Sequence, residues 1–134
     1  MIRETIYINK YDWTIHCYFA VTGYYVTQIV SKMLEIGSPR GFANKAYRML
    51  CYGEMDSGLT YSNEKRRESV LVTSLTHDAS EFINTLSHEA GHVVQHICTE
   101  DGIDMHTEES CYMLGDICQE LYPYCKNLLC CQCH

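Results

Sequence analysis

The chain has 134 residues and a formal net charge of −7, with 46% apolar and 20% charged residues. That length fits one domain over residues 1–134, able to bury a core without disulfides, and the acidic balance argues against partners such as nucleic acid or an anionic membrane surface. No run approaches the roughly 20 apolar residues of a membrane helix, and the opening MIRETIYINKYDW lacks the apolar stretch and cleavage site of an export signal, so the sequence reads as soluble and cytoplasmic.

In Trp13–Val21 the odd positions Trp13, Ile15, Cys17, Phe19 and Val21 alternate with Thr14, His16 and Tyr18. This period of two predicts a half-buried strand. Ile2–Ile8 alternates more weakly and predicts a partner strand, with Asn9–Asp12 turning between them. Val26, Ile29, Val30, Met33 and Leu34 follow the spacing of an amphipathic helix that Gly37 and Pro39 stop. A second helix over residues 40–52 would bury Phe42, Ala46, Met49 and Leu50 and end at Gly53. Residues 58–62 and 68–73 read as a hairpin around Lys65-Arg66-Arg67, a solvated basic turn between Glu64 and Glu68. A third helix starts near residues 76–78, where Thr76 or Asp78 caps and Asp78 with Glu81 fits a capping box, and it runs to about Cys98. A loop over residues 99–106 leads to a last helix, about 107–121, stopped by Pro123. Strands followed by helices predict an α+β fold: a small antiparallel or mixed sheet packed against helices.

The third helix carries TLSHEAGHVVQHI. His88-Glu89-Ala90-Gly91-His92 is an HExxH motif, and residues i and i+4 share a helical face, so His88 and His92 can converge on one zinc ion. The adjacent Glu89 reaches toward a water on that zinc rather than toward the metal, placed to take its proton. The helical context favours a site over coincidence, because Phe82, Leu86, Val93 and Ile97 give the helix an apolar side to pack. His96 continues the four-residue spacing but lies about 12 Å along the axis from His88, too far for two imidazoles on one ion, so it reads as a core or supporting histidine. A third histidine in the pattern HExxHxxGxxH is excluded, since those positions hold Gln95 and Cys98. The remaining source is a carboxylate of the following helix, Glu108 or Glu109. Glu108 is favoured because small Ser110, Cys111 and Gly115 allow close approach of the helices; Asp101, Asp104 and His106 of the loop are further options.

HEAGH followed by EESCYMLGD resembles the small zinc metallopeptidases of the zincin class, gluzincin-like, in which two histidines and a glutamate from the next helix hold zinc. It is closest to the compact intracellular or phage-encoded type, where the glutamate is followed by x-x-small-aromatic; Glu108 with Cys111 and Tyr112 fits that pattern. The similarity covers roughly residues 58–120. It implies a zincin-like fold, with the HExxH helix followed by a glutamate helix. It also implies a zinc cofactor, a peptide or protein substrate, and peptide hydrolysis with Glu89 as general base. A strand beside the active helix commonly pairs with substrate in this class, and residues 68–73 are the expected strand. The chain departs from the family at Tyr112, where many members carry an aspartate that orients a ligand histidine; Asp116 is the substitute on offer. Tyr112 and His106 are the candidate oxyanion donors.

Nine cysteines without an export signal read as reduced thiols. Cys118, Cys125, Cys130, Cys131, Cys133 and His134 crowd the last seventeen residues, in the Cys-rich tail 124–134 and just before it, and offer a second metal site, yet lack the paired CxxC spacing of a zinc finger. The seven-residue recurrence of Cys111, Cys118 and Cys125 equally suits a helix burying small side chains. Set against the peptidase is a zinc-containing, zincin-like module that binds a partner protein without catalysis.

Overall fold

A computed structural model describes residues 1–52 and 58–130. Among these, strands β1 (Ile2–Ile8), β2 (Trp13–Val21), β3 (Gly58–Asn63) and β4 (Glu68–Ser74) form one mixed sheet, and helices α1 (Val26–Glu35), α2 (Arg40–Cys51), α3 (Ala79–Asp101) and α4 (Glu108–Cys125) cover it. The fold is α+β, as the sequence leads one to expect. Gly53, expected to end α2, and Cys131, Cys133 and His134 of the tail lie outside the described residues.

The strand order is β1-β2-β4-β3. β1 and β2 form an antiparallel hairpin, and so do β3 and β4, while β2 and β4 run parallel in the middle. A parallel pair needs a crossover, and α1 and α2 supply it across one face. Their Ile29, Met33, Ala46 and Leu50 pack on Tyr18, Val70 and Val72. α3 and α4 take the other face, where Phe82, Ala90, Ile97, Met113 and Ile117 meet Trp13, Ile15, Phe19 and Leu71.

This central position changes what β2 buries. Its even residues Tyr18 and His16 are buried too, because helices lie on both sides of the strand. A bulge between Tyr18 and Val21, with Ala20 at φ +56°, then shifts the register. Val21 therefore joins the α1–α2 core instead of following Phe19. The same topology corrects the expected substrate strand: residues 68–73 belong to β4, hydrogen-bonded on both sides, and among the described residues the edge strand beside α3 is β3.

Two helices also differ from expectation. α2 buries Ala43, Ala46 and Leu50, whose small residues let it sit close to α1. Phe42 is left 37% exposed, its ring against Tyr61, and Met49 is half-buried. Pro123 lies inside α4 rather than beyond it. Proline removes one backbone donor, but here the disturbed turn is the last, and the chain tightens directly into a 3-10 turn at Lys126–Leu129. Of the heptad cysteines, Cys125 is buried, Cys118 half-buried and Cys111 exposed. Burial pushes the Cys125 thiol up to about 11.

α3 is fixed at both ends. Asp78 caps it by accepting a hydrogen bond from the Glu81 amide at 2.8 Å, while the Glu81 carboxylate accepts from the His77 amide at 2.8 Å. At the far end Gly102 adopts φ +67°, and the helix runs to Asp101, a turn further than expected. There Asp101 receives both Arg67 terminal nitrogens at 2.7 and 2.9 Å. Arg67 also donates to the Asp12 and Tyr11 carbonyls and lies over the Trp13 ring. The expected solvated turn is thus, at Arg67, a clamp between both hairpins and α3. Among the described residues no helix is long and apolar enough to cross a membrane. Asp78→Ala should lower stability by about 1 kcal/mol in urea unfolding at unchanged m-value, with Asp78→Asn nearly neutral.

Candidate metal centre

The apolar side of α3 faces the sheet, and the polar side chains bordering it fall next to β3. His88 and His92, one turn apart, bring their Nε2 atoms within 3.2 Å, their rings edge to face at 4.8 Å. At this distance the two nitrogens either share a hydrogen bond, one imidazole carrying its proton on Nε2, or face a common metal ion. With Zn–N distances of 2.0–2.1 Å, a 3.2 Å separation subtends about 100° at the ion, near the tetrahedral angle. The ligand atoms of His88, Glu89 and His92 all lie within 4.8 Å of one another. The donor set therefore fits a metal ion.

Glu89 is only 3% exposed, unusual for a carboxylate. Thr60 on β3 answers part of its need, its hydroxyl 3.1 Å from Glu89 Oε2 and 3.3 Å from the Glu89 carbonyl oxygen. Burial raises the carboxyl above its ordinary pKa, against the Thr60 hydrogen bond and the nearby His92 and His88. Burial thus gives the Glu89 carboxylate a raised affinity for protons beside the two histidines.

His96 takes a different role from its two neighbours. Its Nδ1 lies 2.6 Å from Ser62 Oγ, which lies 2.7 Å from Ser69 Oγ, which accepts from Trp13 Nε1 at 2.8 Å. The indole can only donate, so Ser69 Oγ accepts from it, and hydroxyls, which both donate and accept, carry the chain through Ser62 to His96. Burial holds its pKa low, against the pull of Glu64, and His92 lowers it further. Its ring stacks beside His92 at 6.4 Å, a supporting histidine as the helical rise implies.

α4 contributes no carboxylate to the gathered group. It faces α3 across a groove of about 220 Å³ where Ser110, Cys111 and Leu114 oppose Gly91, Val94 and Gln95. Glu108 and Glu109 open the helix and are both exposed. Glu109 and Asp116 occupy the flank near Lys10, whose ammonium is held up first by Tyr11 and then by these carboxylates. Asp101 is taken by Arg67, and Asp104 accepts from the His106 amide at 2.9 Å. Tyr112 points outward, 64% exposed. Thr60, Ser62 and Gly58, which meet α3 from β3, were not singled out by sequence motifs; the alternation Gly-x-Thr-x-Ser in the strand before the helix is the signal they leave.

Compared with protein-family models, curated proteins and solved structures, the chain matches none.

The raised Glu89 pKa has a stability consequence in metal-free protein. Below the unfolded carboxyl pKa, about 4.3, both states are protonated and burial carries no charge penalty; above the raised folded value the penalty is complete. Glu89→Gln keeps an acceptor for Thr60 and removes the charge. Its melting temperature should match wild type near pH 4, exceed it progressively as pH rises, and level off, as read by circular dichroism in chelator.

Proposed function

We propose that the chain is a zinc-dependent metallopeptidase of zincin-like fold, with His88 and His92 as ligands and Glu89 as general base. The observation that carries this reading is the meeting of the His88 and His92 Nε2 atoms at 3.2 Å beside a buried carboxylate. A zinc ion held there would supply Lewis acidity toward a peptide carbonyl. Glu89 accepts a proton from the attacking water and returns it to the leaving nitrogen, so one side chain serves as base and then as acid. His96, tied back to Ser62, keeps the ring beside His92 in one orientation. β3, the edge strand beside α3 among the described residues, replaces residues 68–73 as the strand against which an extended substrate lies. Glu108, at the exposed first turn of α4, remains the proposed third ligand.

The second reading, a zinc-holding module that binds a partner without catalysis, is favoured by one observation: α4 brings no carboxylate into the group around His88 and His92. Glu89 separates the two. Glu89→Gln should retain one zinc per chain by elemental analysis while hydrolysis of a fluorescence-quenched peptide mixture falls by about 10²–10⁴-fold; unchanged turnover would leave the hydrolytic role untenable. Glu108→Gln should weaken zinc binding by about a hundredfold or more in chelator competition, and an unaltered affinity would remove Glu108 from the ligand set.

A further inference from the structure

β3 turns Gly58, Thr60 and Ser62 toward α3, alternate residues on one face of the strand. Ser62 holds His96, and the other two meet Glu89. A Cβ at position 58 would stand 2.6 Å from Glu89 Cγ, 2.9 Å from its Cδ and 2.8 Å from the Val72 carbonyl oxygen, so glycine is what lets the glutamate side chain lie against the strand. Thr60 then reaches the end of that side chain, its hydroxyl 3.1 Å from Oε2 and 3.3 Å from the backbone carbonyl of the same residue. The two carboxylate oxygens are thereby made unlike. Oε2 accepts from Thr60, whereas Oε1 receives no hydrogen bond from any described residue.

We infer that Thr60 is a positioning residue for Glu89, fixing the carboxylate so that Oε1 is the atom that takes and returns the proton. This rests on the hydrolytic reading above. In the first half, an O–H bond of water breaks, the water oxygen uses an electron pair to bond the carbonyl carbon, the C=O π pair moves onto the carbonyl oxygen, and the proton forms a bond to Oε1. Thr60 goes on donating to Oε2, which is then the carbonyl oxygen of the neutral acid, so the proton has no second oxygen to move to. In the second half the pair on that oxygen re-forms the C=O bond, the C–N bond breaks with its electron pair going to nitrogen, and the nitrogen takes the proton from Oε1, restoring the carboxylate. Without Thr60 the carboxylate is free to turn about its last torsion, a broad twofold rotor, and either oxygen can face the ion.

The test needs no substrate. Cobalt(II) serves as a visible reporter of the metal centre, and acetohydroxamate is the probe, since it chelates an ion through two oxygens and shares its acidic proton with a neighbouring carboxylate. Thr60→Val should leave cobalt affinity unchanged and weaken acetohydroxamate about tenfold, the worth of one hydrogen bond to a charged group. Thr60→Ser, which keeps the hydroxyl and serves as the folding control, should restore wild-type binding. In a Glu89→Gln background Thr60→Val should have no further effect, because Thr60 acts through Glu89. Equal acetohydroxamate affinity in wild type and Thr60→Val, or the same loss in both backgrounds, would overturn the inference. A cobalt protein that does not respond to acetohydroxamate would place Oε1 away from the ion and overturn it as well. Wild-type protein that binds no cobalt would remove the metal centre, and this role of Thr60 with it; failure confined to the Thr60 variants leaves the centre standing.

Discussion

The parallel register of β2 against β4, from Thr14 opposite Glu68 to Tyr18 opposite Val72, constrains every other element of the structure. Because parallel neighbours require a crossover, the chain between them must leave the sheet and return, and α1 with α2 occupies one face in doing so. The other face is left for whatever follows β4. β3 enters by hairpin pairing with β4, and since β2 already holds the inner side of β4, β3 can only take the outer one. The edge strand and the histidine helix are thus adjacent as a result of topology.

That adjacency has an energetic logic. α3 lies over a sheet whose middle is apolar, with Trp13, Ile15, Phe19 and Leu71, but whose β3–β4 side presents Thr60, Ser62 and Ser69. An all-apolar helix would strand those hydroxyls. The polar stripe of α3 meets them: Glu89 receives Thr60, and His96 closes the hydroxyl chain that begins at Trp13. Buried polar networks contribute to a unique arrangement when every member has a partner. Here the Glu89 carboxylate lies beside the His88–His92 pair, while Thr73 on β4 keeps a buried hydroxyl without a hydrogen-bond partner among the described residues.

Much of this was legible in sequence where the cause is local. The Asp78 cap, the period-two strands and the i, i+4 histidines depend on residues a few positions apart, and they stand where the pattern put them. What sequence could not give depends on distant partners. Whether β4 or β3 is the edge depends on β2, more than forty residues upstream. His16 and Tyr18 look solvent-facing in β2 until α1 covers them. Phe42 and Met49 fit an apolar stripe on α2, yet Ala43 and Ala46 win the interface because small residues allow closer packing. Arg67 reads as a solvated charge, although its partners Asp12 and Asp101 come from two other segments. Pro123 obeys the rule against helix interiors only in the sense that it sits in the final turn. The packing of α4 belongs to the same class: it buries Ser110, Met113 and Ile117, while Glu108 and Glu109 that open the helix stay exposed.

The closeness of His88 and His92 along the chain bears on how a bound ion would act on folding. Sites whose ligands come from distant segments exist only in the native state, so the ion's whole binding energy favours that state. A pair on a single helical turn is different, for any stretch of unfolded chain that transiently forms that turn can hold the ion too. Affinity for the unfolded ensemble subtracts from the stabilisation a ligand confers. Of the ion's total affinity, only the share contributed by groups arriving from outside α3 is converted into resistance to unfolding, and a tightly held ion need not make a heat-resistant protein.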